Sequence, residues 1–242
     1  NYPIQDNYFI GRKEELNTID QFFFDHKHVL YLSGYGGIGK TELAKYYCLN
    51  NSYGFDTVIW LDYKGNITDL IMNDDNFDIY NIDPKMNINK EEKLRLIKHL
   101  VDDHTLIVLD NYDSQDKELI DLLSLPCKML ITTRLQVNDL IDDDRTQVLD
   151  VGVLSEEECF RLFKKYYDVD VVEEENDYIH KIIDHFEKYS LIIPLIAKEL
   201  RISDTLPSEK YQEIIKDGIK NTSHTKINYS KDNTLSKETT YN

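Results

Sequence analysis

The residues from Gly34 to Thr41 have the types and the spacing that phosphate chemistry needs. They read GYGGIGKT, which fits the G-x-x-x-x-G-K-[ST] pattern of a Walker A phosphate-binding loop. Glycines lack Cβ, so successive backbone N–H groups can converge on phosphate oxygens. Lys40 supplies a positive charge for the terminal phosphates, and the hydroxyl of Thr41 can ligate Mg²⁺. The pattern therefore predicts a site for a nucleoside diphosphate or triphosphate.

A carboxylate that can hold Mg²⁺ follows later in the chain. Four apolar residues, Leu-Ile-Val-Leu, occupy 106–109 and lead directly into Asp110. A phosphate loop normally works with an acid at the end of a neighbouring strand, so we predict Thr41 and Asp110 as the metal ligands.

The position after Asp110 bears on hydrolysis. Asn111 stands where many ATPases place a second acid. An amide cannot act as a base near neutral pH, and Asp113 is the nearest substitute. The sequence thus favours slow turnover, or hydrolysis completed by another group, over rapid catalysis.

A positively charged residue follows another apolar segment. Residues 131–134 read Ile-Thr-Thr-Arg, and Arg134 can contact a terminal phosphate and report whether it is present. The alternative is that Arg134 pairs with a surface carboxylate, as arginines at strand ends often do. The candidate catalytic residues are therefore Lys40, Asp110 and Arg134.

The elements that must position these residues alternate between strand and helix. Strands are predicted at 29–32, 55–62, 104–109, 128–132 and 146–151. Helices are predicted at about 12–24, from Thr41 onward, near 67–72, at 89–101 and at 115–123. This alternation is typical of an α/β fold, a parallel-sheet P-loop NTPase domain with right-handed crossovers. Ligands bind beyond the carboxyl ends of such strands, where the loop, Asp110 and Arg134 all lie.

The chain changes to helices alone after residue 152. Ser155 and Glu158 have the spacing of a capping box, and four amphipathic helices follow. We predict a P-loop domain at 1–152, a small all-helical lid domain at 153–220, and a polar tail or linker at 221–242.

Composition restricts the partners and the compartment. The net charge is −17 and no basic patch stands out, so direct nucleic-acid binding is not expected. The three cysteines lie far apart, which is typical of free thiols in a reducing compartment. No apolar segment has the length of a membrane span and no signal peptide is evident, so we expect a cytoplasmic protein. Because residue 1 is Asn rather than Met, we expect a piece of a longer chain.

These motifs, in this order, resemble the NB-ARC module, the nucleotide switch of STAND-class signalling ATPases. The resemblance covers roughly residues 8 to 202. It rests on Gly11-Arg12, the GYGGIGKT loop, Phe55-Asp56 with Trp60, LIVLDN at 106–111, ITTR at 131–134, Leu154 with Leu162-Phe163, and Ile193-Pro194-Leu195.

The resemblance implies an adenine nucleotide, ADP or ATP with Mg²⁺, held between the sheet domain and the helical domain. The family typically rests with ADP and is activated by exchange to ATP, with opening and homo-oligomerisation. It also implies winged-helix, sensor and effector domains elsewhere in the parent chain.

The resemblance assigns roles to residues as follows. Phe9, Ile10, Gly11 and Arg12 would border the adenine, and Pro194 and Leu195 would close over the base or sugar. The phosphates would lie against Gly36, Gly37, Ile38, Gly39, Lys40 and Thr41, with Glu42 at the end of the same segment. Asp110 would serve the Mg²⁺ and Arg134 the γ-phosphate.

Two departures from the family pattern stand out. The helical-domain motif is usually Gly-Leu-Pro-Leu, whereas Ile192 and Ile193 precede Pro194 here. The winged-helix domain and its histidine-bearing motif have no counterpart after residue 220.

Other classes remain as alternatives. A Ras-like GTPase would share the loop, but its N-K-x-D signature is absent, and a small-molecule kinase would need an arginine-rich lid. A P-loop ATPase of another branch, AAA+-like, is a further alternative. A scaffold with an inactive nucleotide site is also consistent, since Asn111 weakens catalysis.

Overall fold

A five-stranded parallel sheet is the framework of the first part of the chain. The computed structural model describes residues 9–50, 54–73, 88–136, 144–170, 172–220, 228–229 and 235–236. The strands are β1 (Val29–Ser33), β2 (Thr57–Asp62), β3 (Thr105–Asp110), β4 (Lys128–Thr133) and β5 (Thr146–Asp150). Their order across the sheet is β2-β3-β4-β1-β5, and all neighbours run parallel. The predicted α/β fold with a parallel sheet is confirmed.

The burial of each strand follows its place in the sheet. Every residue of the three inner strands, β1, β3 and β4, is buried. The edge strands β2 and β5 are partly exposed. A strand covered on both faces needs apolar side chains in both directions, which is why the inner strands read as continuous apolar runs rather than alternating ones.

Five helices accompany the sheet in the sequence. They are α1 (Lys13–Phe24), α2 (Lys40–Asn50), α3 (Ile67–Asn73), α4 (Lys90–Leu100) and α5 (Leu119–Leu123). α4 begins with the predicted capping box, in which the side chain of Asn89 accepts from the N–H of Glu92 at 2.9 Å. Each of these helices lies within or overlaps a predicted helical segment.

The helix predicted at 115–123 is wrong in its first turn, since α5 begins only at Leu119. The carboxylate of Asp116 accepts the backbone N–H of Glu118 at 2.9 Å and that of Ile67 at 2.8 Å. An aspartate that binds nearby backbone groups offers the chain an alternative to the helix. The segment before Leu119 is therefore held as a turn that also fixes the start of α3.

The second part of the described chain is mainly helical. It contains α6 (Glu156–Tyr167), α7 (Glu173–His185), α8 (Ile192–Ser203) and α9 (Pro207–Lys220). Ser155 and Glu158 form the predicted capping box at the start of α6. These helices share a core that includes Phe163, Ile179, Ile183 and Ala197. No helix in the described ranges is long and apolar enough to cross a membrane.

The chain divides by its internal contacts into two compact units. Among the described residues, the first unit contains 12–34 and 40–151, and the second contains 9–11, 35–39 and the residues from Gly152 onward. Two short strands near the end, β6 (Asn228–Tyr229) and β7 (Leu235–Ser236), pair antiparallel. They lie in the segment predicted as a tail, whose other residues fall outside the described part of the chain.

Candidate functional site

The strand order brings three chain segments to one edge of the sheet. β4 lies between β1 and β3, with Ser33 opposite Thr133 and Leu109 opposite Ile131. The carboxyl ends of β1, β4 and β3 are therefore neighbours in that order. This topology places Lys40, Arg134 and Asp110 at the same edge of the sheet, as expected of a site beyond the carboxyl ends of parallel strands.

Lys40 is the first residue of α2 and is buried, with 8% of its surface exposed. Its Nζ donates to the carbonyl oxygen of Gly34 at 2.7 Å, so the side chain folds back across the loop. Burial lowers the pKa of Lys40 to about 8, and the positive charge of Arg134 lowers it too. The negative charges of Asp113 and Asp110 act in the opposite direction and raise it. A buried ammonium group is suited to receive an anion, because an added negative charge favours its charged form.

The glycines of the phosphate loop have conformations that other residues rarely adopt. Gly37 and Gly39 have φ angles of 74° and 102°. A Cβ on Gly37 would lie 2.7 Å from the hydroxyl of Tyr189, so this position also needs glycine for space. Within the second unit, the hydroxyl of Tyr189 donates to the carbonyl of Gly36, and that of Ser190 donates to the carbonyl of Gly37 at 3.2 Å.

Asp110 is a buried carboxylate surrounded by hydroxyl donors, with 4% of its surface exposed. Its Oδ1 accepts from the hydroxyl of Thr41 at 2.9 Å and from that of Thr132 at 2.6 Å. Burial raises the pKa of Asp110, while the hydroxyls of Thr132 and Thr41 act to lower it. Sequence reasoning missed Thr132, although its place in a strand end beside Asp110 was a usable signal.

The donor atoms around Asp110 fit Mg²⁺. The metal prefers oxygen ligands and usually takes only one or two carboxylates from the protein, with phosphate and water completing the shell. Thr41 and Asp110 offer one hydroxyl and one carboxylate within hydrogen-bonding distance. In the described ranges, no three His, Cys, Asp or Glu side chains are grouped so as to hold a metal ion by themselves.

The conformation and hydrogen bonds of Asn111 are not those of a general base. Its φ angle is 60°, a left-handed conformation that asparagine tolerates better than most residues. Its backbone N–H donates to the hydroxyl of Thr132 at 2.9 Å, and its side-chain amide donates to Oδ2 of Asp110 at 3.2 Å. The amide thus serves the carboxylate of Asp110 as a hydrogen-bond donor.

Arg134 is attached to Asp113 through both its backbone and its side chain. The backbone N–H of Arg134 donates to Oδ1 of Asp113 at 2.7 Å. Nε and Nη2 of the guanidinium both lie 2.6 Å from Oδ2 of the same carboxylate. Arg134 therefore has a carboxylate partner, and Asp113, the substitute base predicted from the sequence, is engaged with it.

The remaining predicted site residues belong to both units. Ile38 is buried, and Glu42 pairs with Lys45 at 2.7 Å. Arg12 is buried with its guanidinium 2.6 Å from Glu15, and a Cβ on Gly11 would collide with the side chain of Glu158.

The second unit contains most of the residues predicted to contact the base, namely Phe9, Ile10, Gly11, Pro194 and Leu195. Pro194 is half-buried in the first turn of α8, while Leu195 is exposed. Their contact with a base stays a prediction.

The fold and the site residues can be compared with those of known proteins. A family model described as the NB-ARC domain matches residues 12–173. The chain belongs to the NB-ARC family. It is accordingly a P-loop nucleotide-binding module, and the resemblance found in its motifs is confirmed.

Similar proteins include one curated relative. The transcription activator GutR of Bacillus subtilis (strain 168) is 26% identical over 148 residues, which cover 53% of this chain and 17% of GutR. The chain thus matches a small part of the length of that relative.

Two solved structures of archaeal proteins share the fold. One is a signal transduction ATPase with numerous domains (STAND) that has a tetratricopeptide-repeat sensor, from Pyrococcus horikoshii. It has a TM-score of 0.55 and 21% identity, over 81% of this chain and 31% of that one. The other is a Walker-type ATPase of Pyrococcus abyssi, with a TM-score of 0.56 and 12% identity, over 91% of this chain and 76% of that one. At these identities the likeness shows the fold.

The charges of Asp113 and Arg134 predict how the pKa of Lys40 responds when either residue is substituted. The wild-type Lys40 should titrate with a midpoint near pH 8 rather than at the ordinary 10.5. Asp113→Asn should lower that midpoint because a nearby negative charge is lost, and Arg134→Gln should raise it because a positive charge is lost.

The titration can be followed in the nucleotide-free protein by NMR of ¹³C-labelled lysine, with Lys40→Arg to assign the resonance. A wild-type midpoint near 10.5, a higher midpoint in Asp113→Asn, or a lower midpoint in Arg134→Gln would contradict this description of the site.

Proposed function

We propose that this chain is an adenine-nucleotide-binding switch that rests with ADP, becomes active with ATP and hydrolyses ATP slowly in the presence of Mg²⁺. The observation that carries the proposal is the placement of Lys40, the Thr41–Asp110 pair and the Arg134–Asp113 pair at one edge of an NB-ARC sheet. The proposed switch belongs to a STAND-type signalling protein in the cytoplasm.

Each group at the sheet edge has a proposed task. Backbone N–H groups of the phosphate loop bind phosphate oxygens, and Lys40 adds a positive charge to the terminal phosphates. Thr41 and Asp110 hold Mg²⁺, which when bound neutralises charge on the phosphates. Arg134 senses the γ-phosphate, because a guanidinium forms paired hydrogen bonds to phosphate oxygens.

Slow hydrolysis follows from the groups that are available as a base. Asn111 is an amide engaged with Asp110, and Asp113 is engaged with Arg134. Neither is disposed to take a proton from an attacking water. A slow reaction suits a switch, since the active state then persists between exchange and hydrolysis.

Recognition of the base is proposed for residues of the second unit together with Arg12. Phe9, Ile10 and Gly11 would border the adenine, with Pro194 and Leu195 on the opposite side. The departure from Gly-Leu-Pro-Leu bears on this contact: Ile193 is buried in the core of the helical unit. An apolar residue there supports the start of α8, so the helix can still present Pro194.

Partners are proposed from the relatives. GutR is a transcription activator, and the Pyrococcus horikoshii protein has a tetratricopeptide-repeat sensor. We infer that winged-helix, sensor and effector domains belong to a longer parent chain and that the ATP form assembles into a homo-oligomer. The net charge of −17 argues that this module does not itself contact nucleic acid.

An inactive scaffold that binds nucleotide without hydrolysing it is the second candidate. Asn111 favours it, because the position beside Asp110 lacks an acid. The two candidates agree on nucleotide binding and differ only in turnover.

Removal of the Lys40 amine should weaken nucleotide binding. Lys40→Ala should lower the affinity for Mg-ADP by about tenfold or more, since a hydrogen bond to a charged group contributes roughly 1.5–3 kcal/mol. Calorimetric titration measures the change. Lys98→Ala on the exposed face of α4 is the matched control and should bind as wild type. Equal affinity in the Lys40 and Lys98 variants would refute the assignment.

Turnover of ATP should be slow. The proposed switch should release phosphate at well below the typical enzyme rate of about 10 per second. A phosphate-release assay under multiple-turnover conditions measures this, with Asp110→Asn as the background. Rapid, sustained release would overturn the switch, and a rate equal to that of the Asp110 variant would favour the scaffold.

A further inference from the structure

Asp113 is the anion that pairs with Arg134, the residue proposed to sense the γ-phosphate. Its Oδ2 lies 2.6 Å from both Nε and Nη2 of Arg134, and its Oδ1 accepts the backbone N–H of the same residue. These contacts join the end of β3 to the end of β4. The side chain is only 21% exposed, so water screens its charge incompletely.

Arg134 is the group to which the proposed function assigns the sensing of the γ-phosphate. A γ-phosphate would bring a second negative group to the guanidinium that already pairs with Asp113.

We propose that the carboxylate of Asp113 competes with the γ-phosphate for Arg134, and so makes the site prefer ADP to ATP. This inference rests on the proposed function, since it presupposes that both nucleotides bind. With ADP, the ion pair between Asp113 and Arg134 stays intact. With ATP, the γ-phosphate must share Arg134 with a carboxylate that repels it.

The geometry also defines the opposite possibility. A carboxylate that binds one side of a guanidinium could orient the other side toward a phosphate, just as a carboxylate hydrogen-bonded to a metal-ligating histidine orients that side chain. In that case Asp113 would help ATP to bind. The two possibilities differ in sign, because loss of the charge favours ATP under competition and disfavours ATP under orientation.

The test compares two ligands in one variant. Asp113→Asn keeps the size of the side chain and an oxygen that can accept the backbone N–H of Arg134, but removes the charge. Mg-ADP and the Mg complex of a non-hydrolysable β,γ-imido analogue of ATP are titrated into the wild type and the variant. Competition predicts that the ratio of analogue affinity to ADP affinity rises by about tenfold or more in the variant.

Asp121→Asn is the matched control, because Asp121 is also a paired carboxylate, 2.9 Å from Lys90, but lies outside the proposed site. Its ratio should equal that of the wild type. An unchanged or lower ratio in Asp113→Asn overturns the inference while leaving the proposed function intact. Failure of the wild type to bind either ligand overturns the proposed function itself.

A second measurement needs no change at Asp113. The Nε–H resonance of Arg134, assigned by its loss in Arg134→Gln, reports the hydrogen bond to Asp113 in the wild-type protein. It should be the same in the nucleotide-free and ADP forms and should shift on addition of the ATP analogue, as the guanidinium exchanges part of its bonding to phosphate. An identical resonance in the ADP and analogue forms would contradict competition.

Discussion

Two buried charges of opposite sign, Lys40 and Asp110, are the constraint on which the site depends. Burial disfavours the charged form of each, lowering the pKa of Lys40 to about 8 and raising that of Asp110. The hydroxyls of Thr41 and Thr132 act against this cost at Asp110, and the negative charge of Asp113 acts against it at Lys40, but both pKa values remain shifted. A phosphate and a cation would complete the compensation, so the free protein holds polar groups in the arrangement that its ligand needs.

The topology of the sheet explains how these groups meet. β4 lies between β1 and β3, and Thr132 and Arg134 are therefore at the same edge of the sheet as Ser33 and Asp110. Thr132 bonds to Asp110 and receives the N–H of Asn111, so the two strand ends are joined by side chains as well as by the sheet. Under the proposed function, a nucleotide would contact groups that follow three neighbouring strands.

The sequence predicted the strands, the phosphate loop and the position of Asp110, because continuous apolar runs followed by polar residues are local signals. It did not predict the pairing of Asp113 with Arg134, since these residues are 21 positions apart and meet only because β3 and β4 are neighbours. Strand order is set by packing, which no local pattern records. The helix at 115–123 was predicted too long because the periodicity of apolar residues does not reveal the competing hydrogen bonds of Asp116.

The central claim is that an adenine nucleotide occupies this site, and the most direct measurement identifies what the purified protein carries. The protein is denatured, and the released nucleotide is separated by chromatography and identified by mass. The account predicts ADP, with ATP as the minor form, or an empty protein that binds added ADP. A guanine nucleotide, or an empty site that binds neither ADP nor ATP, would contradict it.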